Sequence, residues 1–191
     1  MLLDKSSEQI LDNNLVNIQN KFEQNIPSIV LCSEPFHKAE FLNRLINSSE
    51  NSIIFVDMDL LYTGYVESGM IQEKDNVTIF HLKKNSWKEK VSEIISEVSK
   101  EKFLIVIDSL NGVYNMFDDL ASARFINACI MLLSSLGRCT NSSVVITAMA
   151  RKKENNQWGL SPGGNQIIKS GKTGVYFLKE VENKLVISTF Q

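Results

Sequence analysis

Five short apolar runs alternate with stretches of helical spacing, and that alternation constrains the chain more than any other feature. The runs are residues 28–31, 52–56, 77–82, 103–107 and 143–147. They read as strands, those at 28–31 and 52–56 buried, joined by helices that carry the chain back across a parallel sheet. One helix is predicted over 38–47, with Phe41, Leu42, Leu45 and Ile46 on one face. A second opens on a Ser86-x-x-Glu89 capping box and repeats Trp87, Val91, Ile94, Ile95 and Val98. A third runs from about 119 to 136 and stops at Gly137, read as a C′ residue. A weaker helical pattern over 6–23 (Ile10, Leu11, Leu15, Ile18, Phe22) ends before Pro27. Residues 60–73 fit neither pattern. Residues 174–179 and 184–189 flank a four-residue turn and predict an antiparallel hairpin. The expected fold is α/β: three layers, a central mostly parallel sheet with helices on both faces, and a C-terminal antiparallel hairpin. An N-terminal helical segment, 1–27, precedes one main domain, 28–191.

Composition narrows the function classes. At 191 residues and 43% apolar content, the chain suits one core rather than two. Its net charge of −2 is not that of a polycation, so any nucleic-acid contact must come from a local patch. Cys32, Cys129 and Cys139 are odd in number and fit no zinc spacing, which predicts buried free thiols in a reducing compartment. No apolar stretch reaches the ~20 residues of a membrane span, and the first twenty residues do not resemble a signal peptide. An intracellular protein, cytoplasmic or nuclear, with no membrane partner is expected. His37 and His81 lie far apart in sequence, so neither a metal site nor a triad is expected.

Open α/β sheets bind ligands at the carboxyl ends of their strands, and three such ends carry candidates. Cys32 to Ala39 matches the spacing of a phosphate loop, G-x-x-x-x-G-K-[ST], but keeps only Lys38. Cys32 and His37 replace the glycines that let backbone N–H groups reach phosphate oxygens, and Ala39 replaces a magnesium-binding hydroxyl. Pro35 removes a further N–H, and Glu34 repels phosphate. Asp108, after 103–107, is the carboxylate that would hold magnesium through water, or a strand-end turn cap. Asp57 and Asp59 offer a carboxylate to orient a water, with solvated turn residues the blander expectation. The polar stretch 150–173 holds Arg151, Lys152, Lys153, Trp158, Lys169 and Lys172, a candidate phosphate-neutralising patch with an aromatic to stack on a base. Met116, Phe117, Leu120 and Phe125 offer an exposed apolar face for a partner subunit, with core packing the commoner fate of such residues.

In this order, the segments resemble the RecA/RadA recombinase family. Residues 29–42 resemble its strand, phosphate loop and helix, and 55–59 resemble the strand that ends in its catalytic carboxylate, with Asp59 in place of Glu. Residues 104–109 resemble its Walker-B strand, and 144–149 the strand ending in a Thr-Asn-Gln sensor, here Thr-Ala-Met. Residues 161–164, the basic residues after them and the terminal hairpin resemble its second DNA loop and closing strands. The departures fall on the ATP site. The resemblance implies a non-catalytic paralogue with a vestigial ATP site at Lys38, Asp108 and Asp59, no catalytic residue and no cofactor, ATP and magnesium binding only if a remodelled loop still holds them. It implies a RecA-family partner or a homo-oligomer, and single- or double-stranded DNA as a ligand, in recombination or repair. Two alternatives stay open: a RecA-family ATPase with a remodelled loop, and a structural ring subunit, similar to those of Elongator, related to RNA.

Overall fold

The computed structural model describes residues 8–116, 120–152, 158–160 and 171–189. The chain runs β1 (Gln9–Ile10), α1 (Leu11–Gln24), β2 (Ser28–Cys32), α2 (Pro35–Ser48), β3 (Ser52–Asp57), α3 (Leu61–Glu67), β4 (Val77–Phe80) and α4 (Trp87–Val98). It continues β5 (Phe103–Asp108), α5 (Leu110–Met116), α6 (Leu120–Thr140), β6 (Ser143–Lys152), β7 (Trp158–Leu160), β8 (Gly174–Val181) and β9 (Lys184–Thr189). The sheet order is β1-β9-β8-β2-β6-β5-β3-β4, with β7 paired to the far end of β6. From β8 through β4 every neighbouring pair is parallel, while β1, β9 and β7 pair antiparallel.

Strand periodicity divides the core in two. Ile29, Leu31, Ile54, Val56, Ile105, Ile107, Val144 and Ile146 face α4, α5 and α6, meeting Trp87, Ile94, Leu110, Val113, Ile130 and Leu133. Their neighbours Val30, Cys32, Ile53, Phe55, Leu104, Val106 and Val145 face α1, α2 and α3, meeting Leu11, Ile18, Phe22, Phe41, Leu45 and Tyr62. Side chains alternate along a strand, so a run of consecutive apolar residues supplies both faces. Connection handedness explains the layering: right-handed crossovers place helices on one face while the chain moves from β2 to β4, and on the other face as it returns through β5 to β6. The N-terminal helix α1 belongs to the second of these cores, and β1 extends the sheet through β9. Among the described residues, no helix is long and apolar enough to cross a membrane.

Several local expectations are corrected. Ser86 is the N-cap of α4, but its side chain makes no capping bond, so the capping box does not form. Gly137 does not end α6; the helix runs to Thr140, and Asn141 takes the left-handed conformation at φ 56°. Ser142 N donates to Gly137 O at 2.8 Å, the bond of a Schellman cap one turn later than expected. Gly137 serves packing instead, since a Cβ there would lie 3.0 Å from Ser142 O. The hairpin turn holds two residues, Glu182 and Asn183, both at positive φ, which suits the twist of β8 and β9. Residues 60–73 contain α3, and residues 110–116 form α5, a helix the sequence pattern missed. Of the cysteines expected to be buried, Cys32 is buried, Cys129 is partly buried and Cys139 is exposed.

Candidate functional site

The connection from β2 to α2 departs most from the sequence expectation. Only Ser33 and Glu34 lie between Cys32 and Pro35, where α2 begins. The eight-residue frame read as a loop is therefore mostly helix. No residue from Cys32 to Ala39 has positive φ, and Pro35 at the helix start has its φ already set for the first turn. Lys38 N donates to Glu34 O at 3.1 Å, closing that turn. Helical side chains lean towards the N-terminus, so Lys38 reaches over the carboxyl ends of the central strands.

There it meets both candidate carboxylates. Lys38 Nζ lies 2.7 Å from Asp108 Oδ1 and 2.8 Å from Asp59 Oδ2. The Lys38 and Asp108 side chains are 2% and 1% exposed, against 25% for Asp59. Thr147 donates its hydroxyl to Asp108 Oδ1, and Ser109 donates to Asp59 Oδ2 at 2.6 Å. Burial alone would lower the Lys38 pKa, but the two carboxylates outweigh it, and the net direction is up. Burial pushes the Asp108 carboxyl above its ordinary range, against the opposing pull of Lys38. Burial likewise pushes the Cys32 thiol up, so Cys32 is a thiol and not a nucleophilic thiolate. The structure thus brings together the three residues Lys38, Asp59 and Asp108.

Asp57 does something else. It is buried rather than solvated, and it caps α3: Oδ1 accepts from Leu60 N at 2.8 Å, and Oδ2 accepts from Thr63 N at 2.9 Å and Thr63 Oγ1 at 2.6 Å. Sequence reasoning misses two contributors. Ser109 carries no signal of its own beyond directly following Asp108. Gly112 lies so close to Asp59 that a Cβ would come within 2.2 Å of Oδ1; only its place one turn into α5 could have pointed to it. His37 Nε2 pairs with Glu180 Oε2 at 2.8 Å, joining α2 to β8.

Three features of the site bear on magnesium-nucleotide binding. The Lys38 ammonium stands between Asp108 and Asp59, the two carboxylates that would attract a metal. Ala39, at the hydroxyl position, is buried and supplies no oxygen. Among the N–H groups of the first turn, Pro35 has none to offer an anion.

The basic segment is only partly assembled. Arg151 and Lys152 are exposed on the end of β6, where β7 pairs with it. Trp158, opposite Lys152, is half-buried with its ring 4.8 Å from that of Phe177, so it packs on the core instead of standing free to stack. Lys172 lies at the other end of the sheet. Ser28 aligns with both Val145 and Gly174, which places Lys152 and Lys172 roughly 30 Å apart along the strands at ~3.3 Å per residue. Lys153, Lys169 and Phe117 lie outside the described residues, as do residues 161–164.

No family model and no curated protein matches this chain. Solved structures do. A RadB recombinase is similar over 85% of this chain and 80% of its own, with TM-score 0.56 and 13% identity. A solved ATPase domain is similar over 89% of this chain and 83% of its own, with TM-score 0.52 and 10% identity. A KaiC-like protein from the archaeon Pyrococcus horikoshii OT3 matches over 87% and 78%, with TM-score 0.48 and 15% identity. Sheet order and the similarities to the RadB recombinase and the ATPase domain agree: the chain has a RecA-like α/β fold.

Proposed function

We propose that this chain is a non-catalytic RecA-like subunit that assembles with a RecA-family partner and assists DNA recombination or repair. The observation that carries the reading is the pairing of Lys38 with Asp108 and Asp59. Phosphoryl chemistry depends on a cationic lysine and a magnesium ion that neutralise the same phosphates. In this site the lysine charge is already neutralised by the carboxylates that would hold the metal. The short connection at Ser33 and Glu34 supports the same reading, because it leaves no loop to wrap a phosphate. The similarity to a recombinase supports the assignment to recombination. DNA contact is assigned to Arg151 and Lys152 at the end of β6.

Calorimetric titration with a non-hydrolysable ATP analogue and magnesium tests the first part. No heat at high micromolar concentrations is the expected result. Saturable one-to-one binding would overturn it and make an ATP-binding RecA-family enzyme the better reading.

A further inference from the structure

Helix α6 has an outer face unlike that of a solvated helix. Its 21 residues include no acid and no lysine, only Arg124 and Arg138. Phe125, Ala128, Leu132, Ser135 and Cys139 are all exposed, Phe125 by 45% and Leu132 by 46%. Their spacing is three, four, three, four, so they form one continuous uncharged stripe over four turns. The neighbouring helix α4 exposes Lys88, Glu89 and Glu93 at its equivalent face. Phe125 is already held in place, its ring packed edge-on against Trp87 at 4.6 Å.

Side-chain size alternates along the stripe: large Phe125, small Ala128, large Leu132, small Ser135. We propose that α6 is the contact face of a two-fold dimer of this chain, packed antiparallel so that Phe125 meets Ser135 of the second copy and Leu132 meets its Ala128. Centred near Ile130, this register sets a large side chain against a small one in all four layers, the condition for interdigitation. A two-fold axis requires each contact to occur twice, and this sequence pattern is its own complement. Charge agrees, because Arg124 falls opposite Leu136 of the second copy and the two copies of Arg124 do not meet. A partner with an acidic helix would instead leave the uncharged stripe without a matching surface. One helix pair is small beside the ~1,000 Å² of a stable interface, so the dimer is expected in the micromolar range.

Sedimentation velocity from about 1 to about 100 µM tests it. The full chain is expected to shift from monomer to dimer. Leu132→Glu and Ala128→Lys, both on the exposed face, are each expected to weaken the dimer at least about tenfold with an unchanged helical circular dichroism spectrum. Mixing the two variants is expected to restore a dimer, because the antiparallel register places the introduced carboxylate of one chain opposite the introduced ammonium of the other. A chain that stays monomeric, a dimer indifferent to Leu132→Glu, or variants that fail to recover on mixing would overturn the proposal. So would a monomer that uses this stripe only to bind a RecA-family protein. None of these readouts depends on nucleotide, so the dimer and the loss of ATP binding fail separately.

Discussion

Lys38 Nζ sits 2.7 Å from Asp108 Oδ1 with both side chains sealed from solvent. The first turn of α2 is thereby tied to the end of β5, two strands away in the sheet. A buried charge is tolerated only when paired, so each residue depends on the other.

Replacing Lys38 alone should therefore be costly. Lys38→Met leaves the Asp108 carboxylate buried without its cation and is expected to lose about 3–5 kcal/mol of stability. Lys38→Met combined with Asp108→Leu is expected to recover most of that loss, since well-packed apolar replacements of buried pairs are often neutral. Urea denaturation of the parent and both variants measures the difference, and a single variant as stable as the parent would remove the pair from the stability argument.

The pH dependence has a definite sign. Lys38 is raised above its ordinary 10.5, so the folded state holds this proton more tightly than the unfolded chain. Its contribution is fully present below 10.5 and is lost as pH rises through the folded-state value. Asp108, also raised, gives the same sign in a lower pH range: its ionisation in the folded state costs stability, and acid relieves that cost. The advantage of the parent over Lys38→Met is expected to persist up to pH 10.5 and to shrink as pH rises further, through the raised folded-state value of Lys38. Denaturation midpoints across a pH series supply the check.

Gly112 and Gly64 form a matched pair of tests. A Cβ on Gly112 would meet Asp59 Oδ1 at 2.2 Å and Met58 Cβ at 2.8 Å. Gly112→Ala is expected to cost about 1–3 kcal/mol, by overpacking and by moving Asp59 off Lys38. At Gly64, inside α3, nothing lies within 4 Å. Gly64→Ala is expected to stabilise by about 0.5–1 kcal/mol through helix propensity. Thermal unfolding distinguishes the two signs.

On the proposed function, DNA affinity should respond to one end of the sheet only. Replacing Arg151 and Lys152 together by Ala is expected to reduce the slope of log affinity against log salt by about 1.4–1.8, the loss of two phosphate contacts. Lys172→Ala, at the opposite end of the sheet, is expected to leave the slope unchanged. Fluorescence anisotropy with a labelled oligonucleotide over a salt series measures both, and an equal response from Lys172 would refute the placement of the contact on β6.

The sheet was legible because its information is local. Apolar runs such as Ile53 to Val56 and Leu104 to Ile107 fill two cores at once, as strands buried on both faces do. Lys38, Asp59 and Asp108 could be singled out by their positions after strands. Their mutual contact could not, since Lys38 reaches Asp108 only once β2, β6 and β5 lie side by side. Trp158 looked free because its partner Phe177 comes from a strand much later in the chain.

The sequence by itself determined the α/β class, the alternation of layers and most of the central strands, because periodicity and β-propensity act over a few neighbouring residues. Tertiary structure alone decided that Lys38 is bound to two carboxylates, that Asp57 is a cap, and that Lys172 and Lys152 lie at opposite ends of the sheet. It also decided that Phe125 and Leu132 lie on an outer face. Each of these follows from which strands and helices become neighbours, and that choice is set by burial and electrostatics between segments far apart in the chain.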